Sequence, residues 1–161
     1  MDCRGNMGKM LIISPEKCTG CRTCEIACSF GKTTGFNPQN AAVTVFQYEE
    51  AAISVPIMCM QCEDPACMKV CAVGAISKNE EGTVLVNFDK CIGCKLCVSA
   101  CPFGNISFNT EKKKIVKCDL CQGKPKCAAL CPTGTIQYKE ATPAELSKKR
   151  IVADKFKELF E

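Results

Sequence analysis

The sequence predicts an α+β fold: two pseudo-symmetric lobes of short β-hairpins and short helices, followed by a C-terminal helix. Three observations carry the prediction. Cysteine supplies 17 of 161 residues, and all but Cys3 fall into four tetrads, Cys18/Cys21/Cys24/Cys28, Cys59/Cys62/Cys67/Cys71, Cys91/Cys94/Cys97/Cys101 and Cys118/Cys121/Cys127/Cys131. Short alternating apolar segments flank the tetrads and are punctuated by turn residues, the pattern of small hairpins. A capping box marks a longer helix near the end of the chain.

The third tetrad holds the strongest motif. Cys91-Ile-Gly-Cys94-Lys-Leu-Cys97-Val-Ser-Ala-Cys101-Pro102 is the C-x2-C-x2-C-x3-C-P run of a bacterial-type ferredoxin. The other three tetrads are variations on it. Together they provide ligands for four [4Fe–4S] clusters, and each lobe is expected to be of the bacterial two-cluster ferredoxin type.

Two rival uses of cysteine fit less well. A disulfide framework calls for an even count and a secretory signal. The count here is odd, and Met1-Asp2-Cys3-Arg4-Gly5-Asn6 has no apolar core of a signal. Structural zinc takes four ligands in paired knuckles, often with His. There is no His, and the third cysteine of each run would have no task in a two-plus-two site. The absence of His also excludes Rieske-type ligation and a His-ligated haem.

Hydrophobic residues make up 47% of the chain with Cys counted, and roughly 36% without it, lean for an ordinary core. Metal clusters are therefore expected to replace much of the apolar interior, so that metal binding and folding share one free energy. The formal charge is +4. Sixteen cluster-bound thiolates and four dicationic cores would turn this into about −4. The lysines then offset cluster charge, and Lys112-Lys113-Lys114 is a solvated turn. No nucleic-acid fold motif or aromatic stacking platform accompanies that run. No apolar stretch has the length of a membrane span. Reduced cysteine and clusters point to the cytoplasm.

Along the chain, Met10–Ile13 reads as a strand leading into tetrad one. Residues 31–40, rich in Gly, Thr and Asn, read as a loop. Val43–Tyr48 and Ile53–Ile57 read as short strands entering tetrad two. Ala75–Ser77 and Thr83–Phe88 form a hairpin signal between tetrads two and three. Ile106–Phe108 and Ile115–Lys117 form another, and Thr135–Tyr138 is a strand after tetrad four. In the tail, Thr142-Pro143-Ala144-Glu145 is the capping box, with Pro at the first helical position. Val152, Phe156, Leu159 and Phe160 fall on one face of that helix, which either packs on its own domain or docks on a partner.

The tetrads alternate in style. One and three share Cys-x-Gly-Cys-[Arg/Lys]-x-Cys-x3-Cys. Two and four carry a proline two residues before their third cysteine, Pro65 and Pro125, and have longer second gaps. This A-B-A-B order is an internal repeat. In two-cluster ferredoxins the fourth cysteine ligates the other cluster, so every tetrad needs a partner. The central hairpin joins tetrads two and three. One and four are left to pair across the ends, helped by the strands Met10–Ile13 and Thr135–Tyr138. The lobes are then 1–54 with 109–140, and 55–108, followed by the helix over 141–161.

Gly20 and Gly93 let backbone N–H groups approach the cluster sulfurs. Pro102 and Pro132 fix the exit of the chain after the last cysteines of tetrads three and four. Ser29 and Ala72 stand at the corresponding places in tetrads one and two. Asp89 and Asp119, beside tetrads, shape turns. No base, nucleophile motif, phosphate loop or dinucleotide fingerprint is present, which leaves a chain that moves electrons without turning over a substrate by itself.

The tetrads, their order and the stretches Cys18-Thr-Gly-Cys21-Arg-Thr-Cys24, Cys62-Glu-Asp-Pro65-Ala-Cys67, Cys91-Ile-Gly-Cys94 and Lys117-Cys118-Asp119-Leu-Cys121 resemble a known family over about residues 10–140. It is the four-cluster iron–sulfur subunit of the dimethyl sulfoxide reductase type. The resemblance implies an electron-transfer subunit of a multi-subunit oxidoreductase. Its partner would be a tungsten- or molybdenum-pterin catalytic subunit, with a flavin subunit or ferredoxin as the other redox partner. It also implies four ligand sets: Cys18, Cys21 and Cys24 with Cys131; Cys118, Cys121 and Cys127 with Cys28; Cys59, Cys62 and Cys67 with Cys101; and Cys91, Cys94 and Cys97 with Cys71. The short gap in the fourth tetrad is similar to the small subunits of tungsten aldehyde oxidoreductase and benzoyl-CoA reductase complexes. Alternatives are a freely diffusing polyferredoxin and an electron-transfer partner of a carbon monoxide dehydrogenase or hydrogenase.

Overall fold

The computed structural model describes residues 9–140 and 142. Cys3 and the expected tail helix lie outside the described residues, apart from Thr142. Among the described residues the chain forms four two-stranded antiparallel sheets and four α-helices, an α+β arrangement. No helix among the described residues is long and apolar enough to cross a membrane.

Strand β1 (Met10–Ile13) pairs with the last strand, β8 (Ile136–Lys139), in the register Met10↔Lys139 to Ile13↔Ile136. The ends of the described chain are thus tied together, as the flanking apolar runs predicted. Helix α1 (Thr23–Thr33) follows the first two cysteines and carries the next two. Strands β2 (Val43–Tyr48) and β3 (Ile53–Met58) pair with each other, from Val43↔Met58 to Tyr48↔Ile53. Helix α2 (Ala66–Lys69) comes next, then the hairpin of β4 (Ile76–Lys78) and β5 (Val84–Val86). Helix α3 (Leu96–Ala100), the hairpin of β6 (Ser107–Asn109) and β7 (Lys114–Val116), and helix α4 (Lys126–Ala129) complete the order before β8.

The loop expected over residues 31–40 is shorter than the composition suggested, because α1 runs on to Thr33. Hydroxyl side chains, which otherwise favour turns, here serve the helix itself. Thr33 Oγ1 donates to Ser29 O at 2.9 Å, and Ser29 Oγ donates to Ile26 O and to Gly35 O, each at 3.1 Å. Phe30 stacks on Phe36 with ring centroids 5.1 Å apart, folding the following segment back onto the helix. Residue 34 closes the helix in the left-handed region, with its N–H on Phe30 O.

Turn chemistry follows the side chains available. Asn79 Oδ1 accepts from Thr83 N across the β4–β5 turn, and Asn109 Oδ1 accepts from Lys112 N in the β6–β7 turn. Before tetrad three, Asn87 Oδ1 accepts from Asp89 N and Lys90 N, so the side chain shaping that turn is Asn87 rather than Asp89. Buried Asn109 also donates to Asn40 Oδ1 at 2.6 Å, linking segments 69 residues apart.

Two apolar cores form, and both are laced with cysteine. One gathers Val43, Val45, Met58 and Ile136 around Cys24, Cys28 and Cys127. The other gathers Ile76, Val84, Ile106 and Ile115 around Cys67 and Cys97. Neither holds a buried aromatic ring. Small β-branched and aliphatic side chains fill the space between thiols, which is the lean interior that the composition indicated.

Candidate metal centres

In each tetrad the third and fourth cysteines are four residues apart, and a short helix carries or adjoins them: α1 for Cys24 and Cys28, α2 for Cys67 and Cys71, α3 for Cys97 and Cys101, α4 for Cys127 and Cys131. Four residues advance a helix by about one turn, roughly 6 Å, on the same face. That separation sends one thiol to each of two neighbouring sites. Helix α1 packs against α4, and α2 against α3. The helices thereby exchange their fourth cysteines in pairs.

One pocket is lined by Cys59, Cys62, Cys67 and Cys101, with Pro102 beside them. Another is lined by Cys71, Cys91, Cys94 and Cys97. Each thus collects three cysteines from one tetrad and the fourth from its neighbour. In the other half, burial pushes Cys127 up to about 12, and the thiols of Cys118, Cys28 and Cys121 stand near enough to add to the shift. Cys131 acts on the charge of Cys21, and Cys18, Cys24 and Cys131 share one core.

The donor set fits a cubane and not a single ion. Among the described residues no three His, Cys, Asp or Glu side chains converge closely enough to hold one metal ion. A tetrahedral zinc would draw its four sulfurs to ~2.3 Å from one centre. Here four thiols line each of two pockets without converging on one point, as a four-iron body with a cysteine at each corner requires.

Backbone geometry repeats with the motif. Gly20 and Gly93 both take φ of +70°, and the residues after the second cysteine, Arg22 and Lys95, take +56° and +64°. A Cβ at Gly20 would lie 2.3 Å from Gln47 Nε2, and one at Gly93 would lie 3.3 Å from Lys113 O. Both positions therefore need glycine for conformation and for space. In tetrads two and four the turn is made differently: Gln61 (+48°), Leu120 (+53°), Cys121 (+48°) and Gln122 (+55°) occupy the left-handed region. Pro65 and Pro125 stand at the N-terminal caps of α2 and α4.

Each fourth cysteine receives a donor. Ala75 N reaches Cys71 Sγ at 3.2 Å and Asn105 N reaches Cys101 Sγ at 3.4 Å. Cys131 Sγ lies 3.8 Å from Thr133 Oγ1. The turns after these three cysteines are alike: Gly74, Gly104 and Gly134 donate to the carbonyls of Cys71, Cys101 and Cys131. Pro102 and Pro132 sit in two of these turns, and Ala72 adopts the third without a proline. Cys28 differs because α1 continues past it. Its donor comes from farther away, Ala42 N at 3.3 Å, and a proline at position 29 would lack the N–H that a helix interior requires.

Burial pushes the thiols of Cys24 and Cys118 up to about 11 and that of Cys127 to about 12, so the metal-free chain keeps them protonated. Cys21 is shifted down, chiefly by hydrogen bonds from the Thr23 hydroxyl and N–H. Asp119 is held below its ordinary value: burial opposes this, but Lys32, 3.1 Å away, and the N–H of Cys121 outweigh it.

Three residues at these sites take roles that the motifs do not announce, Lys117 among them although it opens the stretch Lys117–Cys121. Buried Glu25 accepts from Val45 N at 2.6 Å and fastens α1 to β2. Gln61 accepts from Val84 N and donates to Cys118 O, at 2.9 and 3.0 Å. Buried Lys117 donates to Val84 O and Cys118 O, at 2.7 and 3.0 Å. The available hint was an ionisable residue beside a cysteine, and that does not distinguish a buried side chain from a solvated one.

The cysteine sets also adjoin one another. Cys59 is close enough to act on Cys118, and Cys67 on Cys97. Helix α1 packs against α4, so the first tetrad adjoins the fourth. Cysteine tetrads of this spacing and grouping define a protein that carries [4Fe–4S] clusters. The chain belongs to the 4Fe-4S dicluster domain family, which matches residues 51–141, and a 4Fe-4S binding domain matches residues 11–31. It is similar to the probable anaerobic dimethyl sulfoxide reductase chain YnfG of Escherichia coli, 38% identical over 97 residues, covering 52% of this chain and 46% of that protein. The polyferredoxin-like subunit of the aliphatic sulfonate oxidoreductase of Pyrococcus furiosus is 41% identical over 85 residues, covering 52% and 49%. The chain spans about half the length of the curated relatives it matches. A chain of the benzoyl coenzyme A reductase complex BamBC, solved with 1,5 dienoyl-CoA, is 25% identical, with a TM-score of 0.50 over 83% of this chain and 76% of that one.

Proposed function

We propose that this chain is the electron-transfer subunit of a multi-subunit oxidoreductase, passing single electrons between a catalytic subunit and a second redox partner. The observation that supports the reading is that two pockets each collect three cysteines of one tetrad and the fourth of its neighbour, while α1 and α4 pack together. The ligand sets are Cys18, Cys21 and Cys24 with Cys131; Cys118, Cys121 and Cys127 with Cys28; Cys59, Cys62 and Cys67 with Cys101; and Cys91, Cys94 and Cys97 with Cys71. Cys18–Cys131 and Cys118–Cys28 belong to a lobe of 1–54 and 109–140, and the other two sets to an inserted lobe of 55–108, related to the first by pseudo-symmetry. When bound, the clusters supply reversible one-electron chemistry. The chain's own residues hold them, donate N–H groups to their sulfurs and exclude water with Ile, Val and Ala side chains.

The relatives are named as a chain of a reductase and a subunit of an oxidoreductase, which favours a bound subunit over a freely diffusing carrier. A tungsten- or molybdenum-pterin catalytic partner and a cytoplasmic location are part of the proposal. Anaerobic purification from native cells, with iron and sulfide counts and identification of co-purifying chains, tests it. About sixteen irons per chain and a co-purifying oxidoreductase are expected. About eight irons refutes the four-cluster reading, and recovery only as a free monomer refutes the subunit reading.

A further inference from the structure

Among the described residues two ionisable side chains other than cysteine are buried, Glu25 and Lys117. Glu25 has Arg22 3.9 Å away. Lys117 has no carboxylate partner among the described residues; both of its hydrogen bonds go to neutral carbonyls, Val84 O and Cys118 O. Moving an ammonium out of water costs several kcal/mol, and a well-packed apolar side chain of similar size usually serves a core better. The preceding residues, Ile115 and Val116, are buried and apolar. Lysine at position 117 thus leaves one buried positive charge without a counter-charge.

The counter-charge is indicated by what Lys117 faces. It lines the cavity of Cys59, Cys62, Cys67 and Cys101, and among the lining residues it is the side chain with a fixed charge. A cluster there, with four thiolates around a dicationic core, is a buried dianion and gains a further negative charge on reduction. Lys95 lines the Cys71/Cys91/Cys94/Cys97 cavity in comparable fashion, but it is exposed, with its ammonium over the Phe108 ring at 4.2 Å. Solvent screens that charge, whereas low-dielectric surroundings preserve the effect of Lys117.

We propose that Lys117 sets the potential of one cluster: its buried ammonium selectively stabilises the reduced form of the [4Fe–4S] group held by Cys59, Cys62, Cys67 and Cys101. The residue also sits at the seam between that set and the next, since Cys118 belongs to the neighbouring set. The carbonyl of Cys118 takes hydrogen bonds from both Lys117 and Gln61, which fix the lysine's place. The inference rests on the four-cluster reading above.

The test is an anaerobic redox titration, followed by electron paramagnetic resonance, of the full chain with its co-purifying subunits. Wild type is compared with Lys117→Met, Lys117→Gln and Lys117→Arg, and iron is counted in each. Both neutral variants should keep the wild-type iron content. One centre of four should become at least tenfold harder to reduce, a shift of about 59 mV for one electron, and Lys117→Arg should restore most of it. Full iron with all four centres unmoved, or moved equally, overturns the lysine's role alone. Loss of iron from both neutral variants also overturns it, because the lysine would then be a structural strut. About eight irons in the wild type overturns the four-cluster reading and this inference together.

Discussion

Replacing Gly20 by Ala tests the architecture at one atom. The residue sits between Cys18 and Cys21 with φ of +70°, and its added Cβ would lie 2.3 Å from Gln47 Nε2 and 2.8 Å from Ser54 Oγ. Gln47 and Ser54 are cross-strand partners on the β2–β3 hairpin. Gln47 also donates to Gly20 O at 3.3 Å and accepts from Arg22 at 3.1 Å. The left-handed conformation costs an alanine about 1–2 kcal/mol. Displacing Gln47 forfeits hydrogen bonds worth about 0.5–1.5 kcal/mol each. The sum, about 2–5 kcal/mol, falls on the first cysteine set. If released in the transition state for cluster loss, even the lower end speeds iron loss by about 30-fold. The assay is the rate of iron capture by a chelator at fixed denaturant, under anaerobic conditions. Gln47→Ala in the same chain removes the larger clash, so Gly20→Ala/Gln47→Ala should lose iron more slowly than Gly20→Ala alone. Equal rates for the single and double variants, or a Gly20→Ala rate equal to wild type, would refute the reasoning.

Glu25→Ala leaves Val45 N without its acceptor in a buried place and should destabilise the holo chain by about 1–3 kcal/mol in chelator-challenge assays, whereas Glu25→Gln keeps an acceptor and should cost less. Proton release on cluster assembly follows from the raised thiols. Cys24, Cys118 and Cys127 are neutral in the metal-free chain at about pH 8, so each releases about one proton when ligated, and cluster affinity should rise with pH across roughly 7–9, as read by pH-stat reconstitution. Removing iron with a chelator and an oxidant should abolish most far-ultraviolet dichroism, since the cores are small and laced with cysteine; retention of the holo spectrum would contradict the idea that metal binding and folding are one process. Lys32→Met breaks the 3.1 Å pair with Asp119 and should cost about 0.2–1 kcal/mol in the same chelator assay, the small value reflecting a partly exposed pair.

Much of the local architecture is legible in the sequence because it is written in short spacings. Cys-x-Gly-Cys requires a left-handed turn, and Gly20 and Gly93 take it with the same φ. A four-residue gap puts Cys24 and Cys28 one turn apart on α1, and leaves Cys101 just past the end of the helix that carries Cys97. Apolar alternation separated by Asn79 or Asn109 gives the small hairpins. The length of α1 is a different case: Gly, Thr and Asn read as loop formers, but the helix runs on to Thr33 and is closed by Thr34 in the left-handed region, where Phe30 and Phe36 stack.

The sequence alone determined the type of cofactor, because tetrad spacing is a chain-local constraint that a cubane satisfies and a single metal ion does not. It also implied the closure of the chain ends, through the apolar runs that become β1 and β8. Only the tertiary structure decided which polar side chains become buried beside the cysteines. Lys117 meets Val84 O across 33 residues and Gln61 meets Cys118 O across 57, distances in sequence at which no propensity or spacing rule acts. Glu25 and Lys117 differ from the solvated acids and lysines around them solely in what folds over them. That enclosure removes water, lowers the local dielectric and turns an ordinary charge into one that a neighbouring site can feel.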